Sequence, residues 1–316
     1  MRAAAGRLAE WPPAAWRALD AALPAPDRTL ALRPFLADLY RARLARTPRE
    51  EPEERARVLN RLGVALSALG RRAEALQATR EAVDLYRRLA AQHPEAFLPD
   101  LALSLNNLGV DLSQMGRREE ALQATQEAVD LYRQLATQHP EAFLPDLARS
   151  LHNLGKVLSE MGQRAEALRA TQEAVEIRRR LAQQNPDAFL PDLARSLHNL
   201  GKVLSEMGRR EEALEATQEA VDLYRRLAAQ HPDAFLPDLA RSLGAYGVVL
   251  LGLGRSAEAA ATFAEGLRAI LPFVRDLPAA FGGLASALLQ GYLRACAEAG
   301  EGPDEALVAQ VRRAIE

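Results

Sequence analysis

Gly70, Gly116, Gly162, Gly208 and Gly254 stand 46 residues apart, and each is followed by a charged helix opening such as RREEAL or RAEAL. A fixed period of this length marks an array, in which one supersecondary unit is copied and each copy covers the apolar face of the next. A chain of 316 residues would otherwise suggest two domains. An array instead grows by adding units to one continuous core, so the period argues for a single elongated domain over 1–316. The register reaches both ends: Tyr40 and Pro48 precede Tyr86 and Pro94 by 46 residues, and Pro278, Phe281 and Gly300 continue the spacing. The division is a degenerate first unit (1–47), five full units (48–277) and a partial C-terminal capping unit (278–316).

The unit from Pro186 to His231 carries two helical patterns. In the first, Leu193, Leu197, Leu200, Val203 and Leu204 form one apolar stripe at spacings of three and four. Met207 and Gly208 close it, because glycine takes a left-handed conformation past the last turn without a Cβ penalty. The second pattern sets Ala213, Leu214, Ala216, Ala220, Val221, Tyr224 and Leu227 against Arg209, Arg210, Glu211, Glu212 and Glu219, and predicts a helix from about Arg209 to Gln230. Ala213 and Ala220, with Gly201 on the first helix, allow the two helices to approach closely. At the unit boundary, Asn185 is the expected N-cap. Pro191 argues for a short turn over Asp187–Leu190 with the main helix starting near Pro191. Phe97, Phe143, Phe189 and Phe235 are expected to fill the junctions, and His93, His139 and His231 to act as caps.

Alanine, leucine, arginine and glutamate dominate and β-branched residues are sparse, so the fold class is all-α. A net charge of −2 leaves no surplus to hold a nucleic-acid backbone. Cys296 is alone and forms no internal disulfide, which makes a reduced cytoplasm the expected location. The N-terminus meets Glu10 and a proline pair before any apolar core develops. No apolar run approaches the roughly 20 residues of a membrane span, so no membrane association is expected.

The unit around Gly155 resembles the tetratricopeptide repeat family: large apolar, Leu-Gly, large apolar, Ala and Ala appear as Leu151, Leu154-Gly155, Leu158, Ala167 and Ala174. Thr171 replaces the family's aromatic, and Arg179 its helix-ending proline, so the second helix should run on. Kinesin-light-chain-like bacterial arrays are the nearest sub-pattern: His93-Pro94-Glu95 leads to Leu105-Asn106-Asn107-Leu108, with about four residues added. The resemblance implies a right-handed superhelical solenoid of antiparallel helix pairs, a concave wall lined by the first helices, and a non-catalytic role in binding protein or peptide.

Off the apolar stripe of the first helices lie Arg149, His152, Asn153 and Lys156 in one unit, and Arg195, His198, Asn199 and Lys202 in the next. Asn107 precedes them and Arg241 follows, while Arg61 and Ala245 hold the places where the asparagine column fades. In the family, asparagines at the positions of Asn107, Asn153 and Asn199 commonly pair with the main chain of an extended peptide, which the resemblance implies here. An amide can do so whatever the peptide's side chains. The arginines and lysines would add recognition of carboxylates, favouring an acidic peptide.

No phosphate loop, serine elbow or zinc-protease pattern is present, so neither cofactor nor enzyme activity is expected. His152 and His198 lack an acidic or cysteine partner at ligand spacing and argue for no metal. Cys296 lies on a helical pattern beside Ala295 and Ala297 and reads as packed, not as a nucleophile. The rival reading is an oligomerisation scaffold, or the sensor arm of a larger signalling ATPase, with the N-terminal Trp11 and Trp16 packing on an absent partner. Oligomeric state is left open by the sequence.

Overall fold

The computed structural model describes residues 2–23 and 32–315. Residues 1 and 24–31 of the degenerate first unit, and residue 316 of the last, lie outside the described residues. The described residues form helices and connecting turns, without a strand. Contacts divide the chain into two compact units, residues 1–161 and 162–316, and the boundary falls in the turn of the repeat 140–185.

The first unit holds α1 (Arg2–Ala9), α2 (Pro13–Ala22), α3 (Arg33–Arg46), α4 (Pro52–Ala68), α5 (Arg72–Gln92), α6 (Pro94–Gln114), α7 (Arg118–Gln138) and α8 (Pro140–Glu160). From α3 onward each helix packs on the next, and α6 also touches α4 and α8. The second unit holds α9 (Arg164–Gln184), α10 (Pro186–Glu206), α11 (Arg210–Gln230), α12 (Pro232–Gly252), α13 (Ser256–Asp276), α14 (Pro278–Ala299) and α15 (Glu305–Ile315). Its helices also pack in succession, with α10 and α14 touching α12 and with α15 lying against both α13 and α14. α9 runs through Arg179 to Gln184, as the missing proline requires.

From Pro94 to Leu277 a repeat is two 21-residue helices, a three-residue turn and a one-residue joint, while α4 in the first full unit has 17 residues. The turn is a Schellman closure. Gly208 sits at φ 75°, its N–H donates to Ser205 O at 3.0 Å, and Arg209 N–H donates to Leu204 O at 2.9 Å. Gly70, Gly116, Gly162, Gly254 and Gly300 share the left-handed conformation. Arg209 therefore belongs to the turn, and the second helix begins one residue later than expected.

The joint corrects the sequence reading. No turn interrupts 187–190: α10 is continuous from Pro186, with Pro191 inside it, and α6, α8 and α12 contain Pro99, Pro145 and Pro237 in the same way. Pro191 removes the bond to the Asp187 carbonyl, but Asp187 is exposed and water can satisfy the freed oxygen, so the cost is tolerable at that end. The helix break sits instead at the residue before the first proline, where the α conformation is disfavoured. His93, His139 and His231 occupy that place in a non-helical backbone without any side-chain capping bond, contrary to the capping role expected of them. Asn185 does cap, accepting Ala188 N–H at 3.3 Å. The His93 and His139 rings lie 6.5 Å from Phe97 and Phe143, and all four junction phenylalanines are half-buried against the core.

Two further expectations need correction. α12 is long and apolar enough to cross a membrane, with a mean hydropathy of 1.3 in its richest window. It packs between α11 and α13 and buries Leu239, Leu243, Val249 and Leu250, while Val248 is exposed, so part of its apolar surface serves the core. Trp16 does not await a partner. It is fully buried, edge-on to Tyr40 at 6.1 Å, with the Arg43 guanidinium 4.9 Å from its ring centroid. Arg43 also donates to Ala9 O and Trp11 O and pairs with Glu54, tying the N-terminal helices to α4.

Helix approach within a repeat is set by glycine opposite threonine. A Cβ on Gly63, Gly109 or Gly201 would strike the methyl of Thr79, Thr125 or Thr217 respectively. The Thr125 and Thr217 hydroxyls are satisfied by their own helices, as in Thr125 Oγ1 to Ala121 O at 2.8 Å. At the C-terminal end Phe263 replaces the threonine and fills the space beside Gly247 and Gly291.

Asp111 breaks the apolar pattern. It is 3% exposed in α6, and later repeats carry Val157, Val203 and Val249 in its place. Thr79 Oγ1 donates to it at 3.0 Å. Burial raises its pKa above the usual carboxylate range, and hydrogen bonds from Ser67 and Thr79 pull the other way.

Two outcomes follow for stability. Gly109→Ala should destabilise the chain by about 1–3 kcal/mol through overpacking, despite a gain of roughly 1 kcal/mol in helix propensity, and Thr125→Ala in the same chain should restore part of the loss. Urea denaturation measures both, and a neutral single variant would mean the helices are not in contact. Asp111→Val should raise the melting temperature at pH 7. With the folded-state pKa raised, the carboxyl favours folding below its unfolded value and that contribution is lost as pH rises through the folded one. The advantage of valine should therefore shrink as pH falls towards 4, and a lower melting temperature for the variant at pH 7 would show that the hydroxyl bonds outweigh the burial.

Candidate partner-binding face

In the first unit the leucines of α6 and α8 face the core and leave a polar strip beside the stripe. Asn107 and Asn153 lie on it, half-buried. Each reaches back one repeat and one residue: Asn107 Nδ2 donates to Asn60 Oδ1 at 3.0 Å, and Asn153 Nδ2 donates to Asn106 Oδ1 at 3.0 Å. The acceptors are more deeply placed, with Asn60 8% and Asn106 3% exposed. Toward the turns, Ser113 Oγ donates to Glu160 Oε2 at 2.8 Å across the same 47-residue step.

The charged candidates on this strip carry partners on their own helix. Arg149 pairs with Asp146 at 2.7 Å and Lys156 lies 3.8 Å from Glu160. In the second unit Arg195 pairs with Asp192, Arg241 with Asp238, and Lys202 lies 3.8 Å from Glu206. Exposed pairs of this kind contribute about 1 kcal/mol or less to stability. Their consequence is that the strip is locally neutral, where the sequence suggested a basic one.

His198 is half-buried on α10, with Nδ1 3.3 Å from Ser242 Oγ. Burial pushes its pKa down to about 4, and Arg241 and Lys202 add to the shift, so the ring is neutral near pH 7. Asn199 stands beside it, half-buried in α10. One repeat further on, α12 carries Gly244, Ala245 and an exposed Val248 where α10 has His198, Asn199 and Lys202, so the polar pattern stops there.

The structure thus brings Asn107 and Asn153 together with Asn60 and Asn106 in the first unit, and Arg195, His198, Asn199, Lys202 and Arg241 onto α10 and α12 in the second. His152 and His198 belong to different units. Among the described residues no group of three or more His, Cys, Asp and Glu side chains is arranged to hold a metal ion. Cys296 is buried in α14. Sequence reasoning missed Asn60 and Asn106 because Asn106 sits beside the column and Asn60 beside Arg61. The available signal was their own 46-residue spacing.

A family model described as tetratricopeptide repeat matches residues 54–134, 100–180 and 192–270. Among solved structures, BtubC (BKLC) from P. vanneervenii is similar with a TM-score of 0.57 and 18% identity, over 76% of this chain and 89% of that one. A putative kinesin light chain of Podosopora anserina with nearly identical TPR-like repeats gives a TM-score of 0.56 and 20% identity, over 72% and 99%. The apo form of RapI gives 0.54 and 15%, over 84% and 93%. At these identities the likeness concerns the fold alone. A search of curated proteins gives no significant match.

The neutral His198 should titrate near pH 4 by NMR of its ring carbons. Its folded-state pKa lies below the unfolded value, so its contribution to stability is present above about 6.5 and is lost as pH falls through the folded value near 4. Because burial is the leading cause, Lys202→Gln with Arg241→Gln should raise the pKa only part of the way. A return to the ordinary value in that double variant would make the cations the main cause.

Proposed function

The chain belongs to the tetratricopeptide repeat family, a protein-interaction scaffold, and we propose that it is a non-catalytic module gripping an extended peptide, or an extended segment of a partner protein, along its first-helix face. The observation that carries the reading is the pair of half-buried amides, Asn107 and Asn153, each set at the same place in successive repeats. An asparagine amide has two donor hydrogens and an acceptor oxygen. After the inter-repeat bond, one N–H and the oxygen remain to pair with the main chain of a peptide. Asn199 is the corresponding residue of the second unit, with His152 and His198 as flanking contacts.

Arg149, Lys156, Arg195, Lys202 and Arg241 would meet carboxylates of a partner by exchanging them for their own acidic neighbours. Such an exchange between exposed pairs adds little affinity, so acidity of the peptide is a matter of selectivity. The reading involves no nucleic acid, membrane or cofactor. A single buried thiol, Cys296, suits a reducing cytoplasm, where we place the protein. The rival scaffold or sensor-arm reading loses Trp16 to the core and keeps Trp11, 43% exposed, as its candidate contact. Mass in solution separates the two, because a stable oligomer at low micromolar concentration favours the rival.

The direct test is selection of peptides from a displayed random linear library on the wild-type chain, followed by fluorescence anisotropy with Asn107→Ala/Asn153→Ala/Asn199→Ala. Affinity should fall by about tenfold or more, equivalent to some 1.4 kcal/mol, with helicity unchanged. Loss of the two inter-repeat bonds should lower stability by about 1 kcal/mol each. Equal affinity in the triple variant would remove the asparagine face from the mechanism.

A further inference from the structure

We propose that Asn60 and Asn106 are positioning residues, which fix the side chains of Asn107 and Asn153 in the orientation that reads a peptide before any peptide arrives. The functional meaning rests on the peptide-binding reading of Asn107 and Asn153, while the geometry stands without it. Each acceptor is a buried amide on the preceding first helix, aimed at the half-buried amide of the next repeat with an N–O separation of 3.0 Å. A buried amide oxygen needs a donor, and an asparagine at the edge of a helix face needs an anchor if it is to hold one rotamer. The bond supplies both.

Asn60 supplies the argument that these residues serve the next repeat and do not themselves read. In its own repeat the reading position holds Arg61, not asparagine, yet Asn60 is retained and its carbonyl bonds forward to α6. Further along the array His152 and His198 take the place of Asn106, and in α12 Gly244 takes it while Ala245 ends the reading column. A reading residue held in place beforehand is ordered at the time of folding, so the partner does not have to order it on binding.

The test uses the full chain with selectively 15N-labelled asparagine, following the side-chain NH2 groups of Asn107 and Asn153 by hydrogen exchange. Asn60→Leu should speed exchange at Asn107 several-fold and leave Asn153 unchanged, and Asn106→Leu should do the reverse. Asn60→Asp and Asn106→Asp keep an acceptor oxygen and should restore slow exchange. Circular dichroism confirms that each variant is folded, and each joint serves as the control for the other. On a peptide selected by the wild type, the leucine variants should bind about 3- to 10-fold more weakly, and the aspartates should recover most of that. NH2 exchange in the folded wild type as fast as in free asparagine, or unchanged in the leucine variants, would overturn the proposal. Failure of the asparagine face as a binding site would appear separately, as selected peptides indifferent to Asn107→Ala and Asn153→Ala while the exchange pattern holds.

Discussion

How closely the two helices of a repeat approach governs the rest of this array. Glycine on the first helix opposite a threonine methyl on the second removes the one side chain that would hold them apart. The Thr125 and Thr217 hydroxyls bond within their own helices, so there the contact places a methyl group, not a bare polar atom, against glycine. Tight pairing then carries into the stacking of repeats, because the third helix packs on both members of the pair before it. That is how an asparagine on α6 comes within 3.0 Å of one on α4. Where Phe263 takes the threonine's place, the volume is recovered from glycines on two first helices, Gly247 and Gly291.

Packing of leucine and alanine is forgiving about register, and polar bonds between repeats are not. On the first helices these bonds include the asparagine pairs and Ser113 to Glu160. On the second helices an arginine reaches a glutamate 40 residues on, as in Arg87 to Glu127 at 2.8 Å, Arg179 to Glu219 at 2.6 Å and Arg225 to Glu265 at 2.7 Å. These ion pairs are exposed and add little to stability. Their geometry is nevertheless specific to one sliding position of adjacent helices, so they discriminate between registers that apolar contacts alone would tolerate.

What was legible in the sequence is what repeats with a period. Gly208 as a left-handed turn, Gly201 as a point of close approach and Phe97 with its counterparts at the junctions all follow from spacing and residue type. Three features did not follow. Pro191 reads as a helix start until the exposure of the Asp187 carbonyl is known, because the cost of a missing bond depends on access to water. Trp16 reads as a partner contact until Tyr40 and Arg43 are seen around it, a set assembled from residues far apart in the chain. Asn60 and Asn106 escaped because their meaning lies in a bond across 47 residues, and periodicity within one unit carries no information on which side chain a neighbouring unit brings opposite. The charge of the strip was misjudged for a related reason: Asp146, Asp192 and Asp238 stand in the same helices as the arginines they neutralise, one turn away.

The neutral strip bears on what such a face can recognise. The repeats 140–185 and 186–231 match at 37 of 46 positions, including Arg149 with Arg195, His152 with His198, Asn153 with Asn199 and Lys156 with Lys202. A face that offers the same groups at each step discriminates poorly among side chains that differ from step to step. It suits a ligand whose own groups recur, and the N–H and C=O of an extended main chain recur whatever the sequence. Selectivity must then come from the places where the copies differ. On the second unit the largest such difference is α12, where Gly244, Ala245 and exposed Val248 replace three polar residues. On the proposed peptide-binding reading, main-chain pairing by the asparagines would supply affinity and side-chain choice at the altered repeats would supply specificity.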